Sequence, residues 1–364
     1  MANDSPTAAR ARPTTKADPL GWARANLFNG WFNSMLSVAI LLLLVWLVPP
    51  VFQWAVLDAV WGHATPDDCK AAAGACWAVI TEKYRLILFG RYPFEQQWRP
   101  LLAAIALIGM ALASCDRRTW GRPLIFIWVL GLGTFFVLMG GGVLGLEPVR
   151  TNLWGGLPLT LMLAFIGIAA AFPISILLAL GRRSSLPIIS NLSIAYIELI
   201  RGVPLITLLF MASFMLPLFM PTDVNIESIV RAQVAIIMFA AAYLAEVIRG
   251  GLQALPKGQY EAAAAMGLGY WQTQWLIILP QALKVAIPPI VNTFIGLFKD
   301  TSLVAIVGLT DLVLATRQAI GDPEWRQFFI EAYLFIMVIF WIFCFFMSKY
   351  SQALERRLAT DRRN

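Results

Sequence analysis

The sequence predicts an all-α polytopic membrane protein with about eight transmembrane helices. Three observations predict it. Of 364 residues, 59% are hydrophobic and only 13% are charged, against about a quarter charged in soluble chains. Several apolar runs reach about 20 residues, enough to cross a hydrocarbon core about 30 Å thick. Basic residues gather in alternate short loops, the asymmetry that orients membrane helices. The formal charge of +7 follows from that retention of Lys and Arg on the inner side, and does not indicate nucleic-acid binding.

In chain order, residues 1–33 read as a mobile cytoplasmic tail, too long and mixed for the n-region of a cleavable signal peptide. The first span is Ser34 to Leu57. A polar loop, residues 58–97, follows and reads as periplasmic. It holds the single His63, with Cys69 and Cys76. If the loop is outside, a disulfide between the two cysteines is compatible with its redox setting; the reduced pair is the alternative. No His, Cys and carboxylate cluster has metal-site spacing. Cys115 and Cys344 sit in or beside apolar runs and read as packing residues.

Spans two and three are Trp98 to Cys115 and Pro123 to Leu146. The fourth, Leu157 to Leu180, contains Pro173, expected to kink it. The fifth is Gly202 to Met220, after an amphipathic helical approach from Ile188. The sixth to eighth are Ile229 to Ile248, Ala286 to Gly308 and Phe329 to Tyr350. With eight spans and an inside N-terminus, Arg117, Arg118, Arg122, Arg182, Arg183, Arg249, Lys257, Lys284, Arg356 and Arg357 all fall inside, as do Arg362 and Arg363 in the C-terminal tail, residues 358–364.

The inside loop of residues 251–285 is the longest. Gln259 to Met266 propagates as helix because Ala has the best propensity, and Glu261 in its first turn favours the macrodipole. Gly267 and Gly269 end it through positive φ. Ala262, Ala265 and Met266 share one small, smooth face suited to a groove on another protein. A second helix starts at Trp271 and is limited by Pro280. Its Trp271, Trp275 and Ile278, at i, i+4, i+7, are expected to brace it against the spans. The competing reading is an interfacial hairpin that only links two spans.

Polar groups inside spans are functional candidates by default. Lys299 and Asp300, with Thr301, Ser302 and Asn292 nearby, are candidates for a solute path; the alternative is a structural ion pair. An internal echo, Glu198 to Gly202 and Glu246 to Gly250, puts Glu198 with Arg201 and Glu246 with Arg249 at i, i+3. Each pair reads as a salt-bridged helix end with snorkelling Arg, or as a gate near the inner mouth.

The run Glu261-Ala262-Ala263, three residues, Gly267, nine residues, Ile277, one residue, Leu279-Pro280 resembles the EAA loop of ABC importer permeases. With ELIRGVPL (198–205), AYLAEVIRGGLQALPKGQ (242–259) and the stretch 279–312, the chain is similar to the polar amino acid uptake branch, and most to the M-type permease subunit of general L-amino acid systems. The resemblance implies a five-helix type I importer core over residues 147–357, preceded by a three-helix extension, residues 34–146. It implies that Glu261, Ala262, Ala263 and Gly267 couple the chain to a separate ATPase. It further implies a homologous second permease, most simply in a heterodimer, a periplasmic amino acid-binding protein, and a bacterial inner membrane location. The chain has no G-x-x-x-x-G-K-[ST] phosphate loop, so ATP and Mg are expected in the partner and the chain itself is expected not to be an enzyme. An ion-gradient-driven secondary amino acid transporter is the alternative; its inverted repeat is not detectable here.

Overall fold

The computed structural model describes residues 19–221 and 223–360. Much of the tail read over residues 1–33, and the chain end from residue 361, lie outside the described residues. In its described part Pro19–Asn26 is helical, and the first long helix begins at Trp31. Among the described residues there are helices and two isolated bridges, with no strand. The chain divides into two compact units at Trp77.

In the first unit, helix Trp31–Phe52 continues as a π-helical turn, Gln53–Leu57. The 27 residues are apolar on every side and none is buried, as suits a helix solvated by lipid. Pro49 and Pro50 bring no N–H to the ladder, and the turn after them widens. A small polar fold follows. Thr65 and Asp68 form a capping box on helix Pro66–Ala71. Ala75 donates to Trp54 O at 2.8 Å and Trp77 Nε1 to Ala55 O at 2.8 Å. Cys69 and Cys76 are joined by a disulfide.

The second unit contains α1 (Ala78–Phe89), α2 (Trp98–Ser114), α3 (Arg122–Gly140), α4 (Gly156–Arg182), α5 (Pro187–Arg201), α6 (Leu205–Phe210), α7 (Ser228–Gln253), α8 (Lys257–Ala265), α9 (Leu279–Asp300), α10 (Leu312–Ala319) and α11 (Phe329–Thr360). Its centre is the pair α4 and α7, which pack along their lengths. Both are small-faced: Ala235, Ala241, Ala242 and Ala245 are buried on α7, against Ala164, Ala171 and Ala179 on α4. In lipid, where apolar burial gives little drive, small residues let helices approach closely and gain dispersion contacts. Then α9 packs on α7, and α11 on α9.

Among the described residues, seven helices are long and apolar enough to cross a membrane, or eight if the bent pair Pro187–Arg201 and Leu205–Phe219 is one span. The spans differ from expectation at several places, the helix of the eighth running on past Tyr350 to Thr360. The fifth is broken, turning 98° between those helices; Pro204 lacks the N–H a continuing helix needs and disfavours helical Val203. The third stops at Gly140, six residues early, because Tyr92 and Arg99 take over the last carbonyls. Tyr92 Oη donates to Leu138 O and Met139 O, and Arg99 Nε to Leu138 O at 2.7 Å. The seventh starts sixteen residues early, since helix runs from Tyr270 to Val307. Pro280 therefore does not limit the second loop helix: the π-helical turn Thr273–Ile278 absorbs its missing donor, and Pro280 sits at the start of α9. The helix of the fourth span, α4, continues unbroken through Pro173.

Candidate functional site

The alanine-rich segment forms α8. Pro256 precedes its first residue, so the helix starts two residues before Gln259 and Glu261 falls in the second turn, away from the macrodipole's positive end. Ala263 alone is buried, at 1% exposure. Glu261, Ala262, Ala265 and Met266 face outward, Met266 at 77%. Gly267 ends α8 at φ +72°. Its N–H donates to Ala264 O at 3.0 Å, and Leu268 N–H to Ala263 O at 3.1 Å. Those two bonds are a Schellman motif, which satisfies the last carbonyls and needs a residue without Cβ strain at that φ. Gln281 Nε2 on α9 donates to Gln259 Oε1 at 3.1 Å and Ile277 O at 2.9 Å, tying α8 to the base of α9.

The π-helical turn corrects the expected bracing. Its wider pitch rotates the i, i+4, i+7 stripe, so Thr273, Gln274 and Ile278 point inward while Trp271 and Trp275 are exposed. A pattern read at 3.6 residues per turn misses this.

The two Glu/Arg echoes meet as one cluster. Glu246 lies between Arg249, bonded through Nη2 and Nε, Arg182 at 3.3 Å and Arg201 at 4.0 Å. Glu198 is bridged to Arg182 at 2.8 Å rather than to Arg201. The expected Glu198–Arg201 pair within α5 is thus replaced: Arg182, at the end of α4, inserts between α5 and α7. Three guanidiniums face two carboxylates. Arg182 is the member the sequence reading missed, having counted it only as an orientation marker.

On α9, Lys284, Pro288, Asn292 and Lys299 fall on an exposed face. Lys299 has no ion pair among the described residues, and Asp300 is half-buried beside it. Neighbouring residues on a helix point about 100° apart, so the two do not pair with each other. Thr301 is turned inward at 1% exposure and donates to Phe298 O at 2.7 Å; Ser302 donates to Lys299 O at 2.8 Å. Of the five polar candidates here, Asn292 and Lys299 alone occupy exposed positions.

A family model described as "Binding-protein-dependent transport system inner membrane component" matches residues 171–360. The chain is 52% identical over 356 residues to the inner membrane amino-acid ABC transporter permease protein YhdY of Escherichia coli, covering 94% of this chain and 93% of that one. It is 41% identical over 424 residues to the glutamate/glutamine/aspartate/asparagine transport system permease protein BztC of Rhodobacter capsulatus, covering 98% and 97%. The probable glutamine ABC transporter permease protein GlnP of Bacillus subtilis is 35% identical; the match spans 93% of that protein and 56% of this chain.

Proposed function

The chain belongs to the family of binding-protein-dependent transport system inner membrane components, and from that premise we propose that it is the membrane permease subunit of an ATP-driven importer of L-amino acids. The observation that carries this reading is α8: a short helix seated on the bundle through Ala263 and Gln259, with a small outward face and a fixed end at Gly267. Such a face, with little side chain to displace, suits a groove on a separate nucleotide-hydrolysing subunit. In this reading Ala262, Ala265 and Met266 enter the groove beside Glu261. Ala263 and Gly267 hold the helix, and Gln281 passes its movement to α9. The family membership and the relatives' printed names favour this reading over a gradient-driven carrier.

The same reading assigns α9 to the solute path. An exposed Lys299 and Asn292 inside a span have no place against lipid. A homologous second permease would cover this face and leave water beside it, where Lys299 can meet the solute's carboxylate. The Arg182–Glu198–Glu246–Arg201–Arg249 cluster, which joins α4, α5 and α7, acts as a gate near the inner mouth. A binding protein delivers solute from the opposite side, α8 and both termini lie in the cytoplasm, and ATP with Mg is held by the partner. The shorter Bacillus subtilis relative supports a permease core preceded here by an added extension over residues 34–146.

The test is purification from its native membrane in mild detergent, followed by reconstitution. A P-loop ATPase should accompany the chain, and uptake should stop when ATP is withdrawn with the ion gradient intact. Uptake that follows the gradient and ignores ATP would refute the proposal.

A further inference from the structure

A cavity of about 210 Å³ opens where α8, α4, α7 and the π-helical turn meet. Leu180 and Leu252 form its apolar walls; Arg183, Tyr260, Thr273 and Gln274 supply its polar and aromatic ones. Arg183 lies over the Tyr260 ring at 5.7 Å, which holds its guanidinium beside the cavity. Gln274 is 95% buried, since only 5% is exposed, yet its Oε1 has no hydrogen-bond partner. An orphaned buried acceptor is expensive, so a donor belongs there. The cavity lies below the roughly 300–1,000 Å³ of drug-sized sites; its occupant is a small group.

The surroundings say what kind. Tyr270, Trp271 and Trp275 are exposed beside the cavity, and exposed aromatics at a span's end mark the level of lipid headgroups. The cavity therefore sits where a headgroup can enter sideways with its chains remaining in the bilayer. We propose that it binds the headgroup of an anionic glycerol phospholipid. The phosphodiester takes hydrogen bonds from Arg183 and Thr273, and a terminal glycerol hydroxyl donates to Gln274 Oε1. A choline headgroup lacks that donor, and an ethanolamine headgroup brings a second cation towards Arg183; glycerol satisfies both ends. Because Tyr260 is carried by α8 and Leu180 and Leu252 by α4 and α7, the lipid is a wedge that fixes α8 on the bundle. This site is separate from the proposed coupling face and would stand if that function were wrong.

The test uses the full chain, with whatever subunits accompany it, in nanodiscs of phosphatidylcholine with or without phosphatidylglycerol. Native mass spectrometry should find phosphatidylglycerol retained in preference to phosphatidylcholine. Arg183→Gln and Gln274→Leu should each lower that retention by about tenfold, the effect of losing one charge-assisted or buried hydrogen bond. Equal retention in parent and variants would overturn the proposal. Displacement of the lipid by soluble glycerol phosphate would also overturn it, by assigning the cavity to a free solute.

Discussion

The end of α8 offers a graded perturbation. Gly267 sits at φ +72°, and a Cβ built there meets nothing within 4 Å. Substitution therefore brings backbone strain with no clash, and the strain alone sets the order. An Asn tolerates this region and costs a few tenths of a kcal/mol; an ordinary L-residue such as Ala costs about 1 kcal/mol. A β-branched Val costs about 2 kcal/mol or more, for which the region is a genuine outlier. Relief of that strain means breaking the two Schellman bonds, each worth about 1 kcal/mol net, so Val releases the end of α8 and Ala shifts it partway. Through RT, 1.4 kcal/mol is about tenfold in the population of the fixed end. The assay is reconstituted transporter with uptake and ATP hydrolysis measured together. Solute moved per ATP should fall in the order Gly, Asn, Ala, Val, with Val at least about tenfold down. Normal coupling in Val, or Asn as poor as Val, would refute the idea that this helix end transmits force.

Three further outcomes follow from particular residues. Glu246→Gln leaves three guanidiniums facing one carboxylate at a half-buried site, with a stability loss of about 1–3 kcal/mol; Glu198→Gln, whose side chain is 56% exposed, should cost less than about 1 kcal/mol, and equal losses in thermal melts would contradict the cluster's centre on Glu246. Asp311, outside the long spans, caps α10 through Val313 N and Leu314 N, and burial pushes its carboxyl up to about 6. A raised carboxyl favours the fold while protonated, so that contribution is present below pH 3.8 and lost as pH rises through about 6. Asp311→Asn keeps a good cap without the buried charge; its melting temperature should exceed the parent's at pH 7.5 and match it near pH 4, and a lower value at pH 7.5 would count against the burial argument. Cys69 and Cys76, seven positions apart, should resist alkylation until reduced, and Cys69→Ser should destabilise the small polar fold by about 2–3 kcal/mol in the chain-entropy account; labelling without reductant would show the bond absent.

The helices were legible because lipid imposes a length and a composition on every span. α8 was legible too, since alanine propensity and a glycine stop are local signals. What escaped depended on partners distant in sequence or on a change of pitch. Arg182 is anonymous in a sequence; its meeting with Glu198 and Glu246 requires the 98° turn after α5 and the packing of α4 on α7. The inward turn of Thr273 and Gln274 follows from a π-helical stretch that a 3.6-residue period cannot describe. Thr301 turns away from the exposed face of α9 because the chain tightens to a 3₁₀ helix there and its hydroxyl satisfies Phe298 O.

The most direct measurement is site-directed cross-linking of α8. With Cys115 and Cys344 replaced by Ser, single cysteines are placed at 262, 263, 265 and 266 in membranes containing all accompanying subunits. Ala262→Cys, Ala265→Cys and Met266→Cys should cross-link to the ATPase, in a yield that changes with bound nucleotide, and the buried Ala263→Cys should not. Labelling of the three outward cysteines by an impermeant reagent applied from outside intact cells, with no cross-link to any nucleotide-hydrolysing subunit, would contradict the account.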